Sequence, residues 1–318
     1  MLQKEKKIKK TALIGAGAVG AYVISGLYDV PEIDFTLIAG GERKERLLRE
    51  GLWINGRQYF PRVQTAQEAG GQDLILIATK YQGLAEAIAM LPDLMGDHTL
   101  VMSLLNGVDS EEQIASAIGE AHVVPALIRI SSERKGREIT FRLVPEMGIF
   151  YGIPADRTDD LSKEALPLLQ EFFAKTGLYT HVSVDILTDI WKKYAGNVSN
   201  NLVQAVLRLP AAFYYQGEHG LFLAGKLWAE VGLVAKSKGI EIGDGPVVFV
   251  GGDYRKARWS TLQDLDAGRH TEVDMFAGVL MNMAAEAGIE VPYATFCYHA
   301  IHILEEENDG LFRTGSEA

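Results

Sequence analysis

The order of apolar and polar residues divides the chain into two parts. In the first part, short apolar runs at residues 12–14, 35–38, 74–78 and 99–105 alternate with segments of helical spacing. Continuous apolar runs of this kind are typical of parallel strands that are buried on both faces. Strands that alternate with helices predict an α/β fold built on a doubly wound parallel sheet.

Local turn and cap signals add further elements to this part. Asn55-Gly56 lies within the run 52–57 and predicts a two-residue hairpin turn. A second hairpin is expected to turn at Lys135-Gly136 into residues 139–143. Ser110, with Gln113 three positions later, predicts a capping box for a helix that ends near Ile118.

The first apolar run leads into a glycine-rich loop, and a segment of helical spacing follows it. The loop reads Gly15-Ala16-Gly17-Ala18-Val19-Gly20. Strand, glycine turn and helix in this order are what the G-x-G-x-x-G fingerprint of dinucleotide-binding proteins requires. Gly15 suits the tight turn, Gly17 the close approach of a pyrophosphate, and Gly20 the packing of helix on strand. All residues of the loop are therefore candidate cofactor-binding residues; the alternative is a turn with only a structural role.

The alternation of strands and helices ends near residue 183. Strands are expected at residues 148–151 and 179–182, with a helix at 161–175 between them, whereas later segments have helical spacing apart from a strand signal at 247–250. A chain of 318 residues is too long for one ordinary core. We expect a Rossmann-type dinucleotide-binding domain over residues 1–183 and an all-helical substrate domain over residues 184–318.

The segment after the second strand bears on the choice of cofactor. NAD-binding proteins usually carry an acidic residue there, which holds the ribose 2′-hydroxyl. This chain has Gly40 at that place, with Arg43 and Lys44 close behind. The absence of an acidic residue and the nearby cations favour a 2′-phosphate and hence NADP(H). The alternative is that residues 42–50 are only the solvated start of a helix.

Two further polar residues follow buried strands directly. Lys80 comes after the run 74–78, and Asn106 comes after the run 99–105. Ligands of open α/β sheets bind beyond the carboxyl ends of the strands, so both are candidates for contact with cofactor and substrate. The alternative for Lys80 is a solvated lysine at the start of a helix.

The predicted helix 186–209 has one polar stripe on an otherwise apolar surface. The stripe has the spacing i, i+4, i+7, i+8 and i+11, and consists of Lys193, Asn197, Asn200, Asn201 and Gln204. Asparagine is a mediocre helix former, so the repeated asparagines point to a polar site. Surroundings of low dielectric lower the pKa of an ammonium group, which suits proton donation near neutral pH. The alternative is a row of interhelical hydrogen bonds with the lysine reaching water.

Composition and charge narrow the class of protein. With 47% hydrophobic and 23% charged residues, the chain has an ordinary soluble composition. A net charge of −11 argues against a general nucleic-acid or anionic-membrane surface. Neither a signal peptide nor a membrane-spanning run is expected, so we expect a cytoplasmic protein.

The cysteine and histidine content argues against a disulfide and a metal site. The single cysteine, Cys297, excludes an internal disulfide and is expected to be a packed thiol rather than a nucleophile. His299 and His302 could share a helix face, but no frame of cysteines or carboxylates surrounds them in the sequence. We therefore expect no metal.

Taken together, these residues resemble the ketopantoate reductase family (2-dehydropantoate 2-reductases) over nearly the whole chain. The matching motifs are the loop GAGAVG, Lys80, Asn106-Gly107, Trp191-x-Lys193-x-x-x-Asn197-x-x-x-Asn201, Ser260 with Asp264, and Thr271-Glu272. The helix motif with the Thr-Glu pair is far more specific than the glycine loop. The chain departs from the family where Gly40 replaces the usual arginine and Trp259-Ser260-Thr261 replaces Ser-Ser-Met.

The resemblance implies an activity and a role for each residue. The activity is the NADPH-dependent reduction of 2-dehydropantoate to pantoate in pantothenate biosynthesis, in a cleft between the two domains. Lys193 would be the general acid and Glu272 would orient the substrate hydroxyl. The substrate's polar groups would be held by Asn197, Asn201 and Ser260, and Lys80 and Asn106 would contact cofactor and substrate.

Two alternative functions are also consistent with the same residues. The chain could be a related NADP(H)-dependent reductase of a different 2-oxo acid, or a nucleotide-binding sensor without catalysis. The sequence fixes no oligomeric state and leaves a homodimer open.

Overall fold

The computed structural model describes residues 6–142, 144–245 and 255–312. The strands are β1 (Lys10–Ile14), β2 (Asp34–Ile38), β3 (Leu52–Ile54), β4 (Arg57–Tyr59), β5 (Val63–Gln64), β6 (Gln72–Ile77), β7 (Met95–Ser103), β8 (Ala126–Arg129), β9 (Ser132–Lys135), β10 (Glu138–Phe141), β11 (Gly148–Tyr151) and β12 (Thr180–Val182). The helices are α1 (Ala18–Leu27), α2 (Gly41–Glu50), α3 (Leu84–Leu94), α4 (Ser110–Ile118), α5 (Asp160–Phe173), α6 (Ile186–Leu207), α7 (Phe213–Gln216), α8 (Glu218–Ser237), α9 (Ser260–Asp266), α10 (Val279–Glu286) and α11 (Pro292–Asn308).

The apolar runs of the first part form a parallel sheet. Its strand order is β5-β2-β1-β6-β7, and every neighbouring pair is parallel. In the central strand β1, Leu13 lies opposite Leu37 of β2 and Leu76 of β6. The expected parallel sheet is confirmed.

Both faces of this sheet are covered by helices. Leu13 and Leu76 point into a core that contains residues of α1 and α5. Their neighbours in sequence, Ile14 and Ile77, point into a second core formed with α3 and α4. Successive side chains of a strand alternate between faces, so runs that are apolar throughout bury both sides. This confirms the doubly wound arrangement.

The two predicted hairpins also form. Asn55 and Gly56 adopt φ values of 48° and 78°, both positive as a type I′ turn requires. Strands β9 and β10 pair antiparallel, and β10 also pairs with β3, so the hairpins share one sheet of order β4-β3-β10-β9. A third sheet has the order β12-β11-β8.

The predicted capping box at Ser110 is wrong. Helix α4 begins at Ser110 and has Asp109 in the cap position. The Ser110 hydroxyl is 2.8 Å from the hydroxyl of Ser103, at the end of β7. The side-chain amide of Gln113 donates to the carboxylate of Asp109 at 2.6 Å. A tertiary contact has therefore replaced the local cap.

The chain forms two compact units. The first runs to Leu187 and the second starts at Thr188, a few residues beyond the predicted boundary. The regular elements described in the second unit are helices, as expected; the strand signal at 247–250 lies outside the described residues. Helix α6 ends at Leu207 because Arg208 adopts a left-handed φ of 53° shortly before Pro210.

Within the described parts of the chain, every helix is too short or too polar to cross a membrane.

Candidate active site

The glycine loop joins β1 to α1 at the edge of the parallel sheet. Gly15 has a φ of 110°, and a Cβ there would lie 2.4 Å from the carbonyl oxygen of Ala78. A Cβ on Gly20 would lie 2.2 Å from the carbonyl oxygen of Gly15. The turn and the packing of helix on strand therefore both depend on glycine.

Gly17 differs from the other two glycines of the fingerprint. A Cβ there would have no protein atom within 4 Å, so packing within the protein does not explain the residue. Gly17 is the N-cap of α1, and no side chain caps this helix end. Open space beside helical N–H groups fits the pyrophosphate of a dinucleotide, which needs close approach to the backbone.

The end of β2 carries the residues that bear on a 2′-phosphate. Gly40 and Gly41 open α2, and a Cβ at either would meet no atom within 4 Å. Arg43 is exposed. The ammonium of Lys44 lies 2.5 Å from the carboxylate of Glu68 and holds the pKa of that carboxyl below its usual range. Arg43 is therefore the more available of the two cations.

Lys80 and Asn106 lie in loops that leave adjacent strands at the edge where the glycine loop begins. The amide of Ala78 donates to the carbonyl of Ile14 at 2.7 Å, and the amide of Leu104 donates to the carbonyl of Ile77 at 2.8 Å. These bonds hold the three strand ends side by side. Lys80 is exposed and Asn106 is half-buried.

A small polar network joins these two loops and was not predicted. The hydroxyl of Tyr81, next to Lys80, donates to the carboxylate of Asp109 at 2.5 Å. The side-chain amide of Gln113 donates to the same carboxylate. The network links the loop after β6 to the start of α4, and thereby stabilises the loops that carry Lys80 and Asn106.

The polar stripe of α6 is real, but its members differ in burial. Lys193 and Asn197 are half-buried, whereas Asn200, Asn201 and Gln204 are buried. The Gln204 side chain accepts from the amide of Trp259 at 2.6 Å and donates to the carbonyl of Ala257 at 3.0 Å. Gln204 thus clamps the segment before α9, so this member of the stripe has a structural role, through a non-helical segment rather than through another helix.

Asn201 reaches the first residue of α9. Its side-chain amide lies 3.4 Å from the hydroxyl of Ser260, a residue 59 positions further along the chain. Ser260 is exposed, and the clamp by Gln204 holds the segment just before it. The structure therefore brings together two of the predicted substrate-binding residues.

Glu272 lies just before a helix that opens with a π-helical turn, Asp274–Gly278. The hydroxyl of Tyr194 donates to the carbonyl of Phe276 within this turn at 2.6 Å. Tyr194 follows Lys193 in α6, so this bond ties the helix of Lys193 to the helix start that carries Glu272. π-Helical turns occur frequently at functional sites.

Other polar residues singled out in the sequence have structural partners. Asp264 pairs with Arg269 at 2.7 Å. A ring nitrogen of His302 lies 2.9 Å from the carboxylate of Glu305. Cys297 is buried, and burial raises the pKa of its thiol to about 12. Across the described ranges, no group of three or more His, Cys, Asp or Glu side chains is arranged to hold a metal ion.

A doubly wound parallel sheet with this glycine loop, followed by a helical unit, is the architecture of a dinucleotide-binding protein. The chain matches the family model described as Ketopantoate reductase PanE/ApbA over residues 11–147. It matches the C-terminal model of the same family over residues 185–305. The chain belongs to the ketopantoate reductase family, whose members are oxidoreductases that act on CH–OH groups.

Individual relatives agree with this assignment. The chain is 27% identical over 301 residues to the 2-dehydropantoate 2-reductase of Mesorhizobium japonicum, with 86% of this chain and 91% of that protein covered. It superposes on a D-mandelate dehydrogenase, solved with NADH and anilino(oxo)acetate, with a TM-score of 0.79 at 20% identity, covering 94% and 99% of the two chains. It superposes on the dimeric ketopantoate reductase of Staphylococcus aureus with a TM-score of 0.70 at 19% identity, covering 94% and 99%.

Proposed function

We propose that the protein uses NADPH to reduce a 2-oxo acid to a 2-hydroxy acid, with 2-dehydropantoate as the substrate. The observation that carries the proposal is the contact between Asn201 and Ser260. It joins two residues that are distant in the sequence and that the family resemblance assigns to the substrate. Asn201 lies on α6, the helix that also carries Lys193. Because Gln204 already fixes the segment before Ser260, the contact is not needed to hold that segment in place.

The chemistry explains the residue types. The bound nicotinamide supplies a hydride for the carbonyl carbon of the substrate. Negative charge then develops on the carbonyl oxygen, and Lys193 would both stabilise this charge and donate the proton. Asn197, Asn201 and Ser260 would hold the polar groups of the substrate, and Glu272 would orient its hydroxyl.

The same proposal includes the cofactor contacts. The loop from Gly15 to Gly20 would hold the pyrophosphate, and Lys80 and Asn106 would contact cofactor and substrate. Arg43 would carry most of the interaction with the 2′-phosphate, assisted by Lys44 and by the N-terminus of α2. We also propose a homodimer, by analogy with the dimeric relative of Staphylococcus aureus.

A second candidate is a reductase of a different 2-oxo acid. The residues around Ser260 favour it, because Trp259-Ser260-Thr261 replaces the Ser-Ser-Met that is usual in the family. A bulky Trp259 beside Ser260 would change the shape available to a substrate's acyl chain. A sensor without catalysis is the third candidate, and the complete set of lysine, asparagines and glutamate counts against it.

A substrate screen tests the proposal. Oxidation of NADPH is followed by absorbance with 2-dehydropantoate and with a series of linear, branched and aromatic 2-oxo acids. We expect the highest kcat/KM with 2-dehydropantoate. A higher value with another 2-oxo acid would favour the second candidate, and no turnover with any of them would contradict reductase function.

A further inference from the structure

A buried carboxylate lies directly behind the segment that carries Glu272. Glu305, near the end of α11, is 4% exposed. One of its oxygens accepts a hydrogen bond from the backbone amide of Thr271 at 2.7 Å. The other lies 2.9 Å from Nδ1 of His302 and 3.7 Å from Nδ1 of His270. The carboxylate is therefore held on both sides.

The bond to Thr271 fixes the backbone on the N-terminal side of Glu272. The Thr271 hydroxyl in turn accepts from the amide of Val273 at 3.1 Å. The carbonyl of Glu272 itself accepts from the amides of Met275 and Phe276, both at 3.1 Å. The peptide group before Thr271 and the peptide group after Glu272 are thus both held, and the chain of contacts begins at Glu305.

A buried carboxylate at this position costs desolvation free energy, which an apolar side chain packed in the same place would not. Burying a charged group is unfavourable unless hydrogen bonds and charges compensate it. Here the compensation comes from the imidazole of His302 on one oxygen and, on the other, from a single backbone amide, that of Thr271, one residue before Glu272. An acceptor that is held from two sides gives that amide a defined position.

We propose that Glu305 is a positioning residue for Glu272: by holding the amide of Thr271, it sets where the Glu272 carboxylate meets the substrate. The inference rests on the proposed function, since it needs Glu272 to orient the substrate. Glu305 itself contacts neither substrate nor reacting atoms in this proposal.

The second unit offers a matched control. Glu230 of α8 is 5% exposed, and its two oxygens accept from the amides of Tyr293 and Ala294 at 2.8 and 2.9 Å. It is thus also a buried carboxylate that holds the backbone at a helix start, here the first turn of α11. Its hydrogen bonds lie at the opposite end of α11 from Glu305, so its loss should loosen the unit to a similar extent and leave the hydrogen bonds of the Glu272 segment in place.

The experiment compares Glu305→Ala and Glu305→Gln with Glu230→Ala and Glu230→Gln. Displacement of a positioning group by about 1 Å can cost on the order of 100-fold in rate; we expect Glu305→Ala to raise KM for the 2-oxo acid about tenfold, with a smaller fall in kcat. Glu305→Gln should restore most of the wild-type KM, because its carbonyl can still accept from Thr271. Affinity for NADPH should stay unchanged in all four variants, and both Glu230 variants should keep the wild-type KM.

Hydrogen exchange gives a readout that does not depend on turnover. The peptide that contains residues 269–276 should exchange its amide hydrogens faster in both Glu305 variants than in wild type. Its exchange rate should be unchanged in both Glu230 variants. If the alanine variants do not fold, the glutamine variants test the positioning role. In Glu305→Gln, we then expect faster exchange of the same peptide and a rise in KM of about two- to threefold.

The outcomes separate the two claims. A wild-type protein that turns over no 2-oxo acid would overturn the proposed function. An active wild type whose KM is unmoved in the Glu305 variants, or moves equally in the Glu230 variants, would overturn only the positioning role.

Discussion

At the scale of single residues, Gly17 separates a binding role from a structural one. We expect Gly17→Val to leave the melting temperature close to that of wild type, because a Cβ at this position would have no protein atom within 4 Å. Affinity for NADPH should fall roughly 10- to 100-fold, since charge-assisted hydrogen bonds to the pyrophosphate contribute about 1.5–3 kcal/mol. Fluorescence titration beside a thermal melt measures both.

Gly15 is the matched control for this prediction. Gly15→Ala adds a smaller side chain, yet its Cβ would meet the carbonyl of Ala78 and the φ is positive. This variant should lose stability as well as binding. A folded Gly17→Val protein with wild-type affinity for NADPH would mean that the loop is only a turn.

At the scale of elements, Gln204 of α6 holds the segment that leads into α9. Gln204→Leu keeps the approximate volume but leaves the amide of Trp259 without this acceptor, which should cost roughly 1–3 kcal/mol of stability. KM for the 2-oxo acid should rise as well, because Ser260 follows this segment. Thermal melts and steady-state kinetics check the two effects.

The control for Gln204 is Gln263, which is exposed and donates to the carbonyl of Arg258 in the same region. Gln263→Leu should change stability by less than about 0.5 kcal/mol and leave KM unchanged. Equal effects of the two substitutions would show that the clamp has no special role.

Elements that depend on local sequence could be predicted. The parallel strands follow from runs that are apolar on both faces, and the hairpin at Asn55-Gly56 follows from residues that tolerate a positive φ. The cap of α4 could not be predicted, because Ser110 turns to Ser103 of β7 and Asp109 takes the cap position.

The contacts that support the candidate site could not be predicted from the sequence either. The π-helical turn after Glu272 receives the hydroxyl of Tyr194, a residue 82 positions earlier. The amide of Thr271 is held by Glu305, which is 34 positions away. Spacing within a helix identified the stripe from Lys193 to Gln204, but only the fold shows which side chains meet those of other elements.

At the scale of the whole molecule, the preference between NADPH and NADH can be measured directly. We expect tighter binding of NADPH than of NADH, because Gly40 leaves out the usual acid and cations follow it. A phosphate contact of this kind contributes about 1.5–3 kcal/mol, so Arg43→Ala together with Lys44→Ala should abolish most of the preference. Fluorescence titration of both cofactors measures it.

The ion pair between Lys44 and Glu68 adds a finer expectation. Because Glu68 already holds Lys44, Arg43→Ala alone should remove more of the preference than Lys44→Ala alone. Equal affinities for the two cofactors in the wild-type protein, or tighter binding of NADH, would contradict the assignment to NADP(H).

The central claim is that Lys193 donates the proton in a reduction. The measurement that tests it most directly is kcat of Lys193→Ala, compared with kcat of Lys192→Ala as a control. Lys192 is the exposed neighbour of Lys193 on the same helix. Loss of a group that is both acid and oxyanion partner should lower kcat by about 10³. Lys192→Ala should retain wild-type turnover, and both variants should keep their affinity for NADPH and their melting temperature. A fall in kcat of less than about tenfold in Lys193→Ala would contradict the account and leave Lys193 with a structural role.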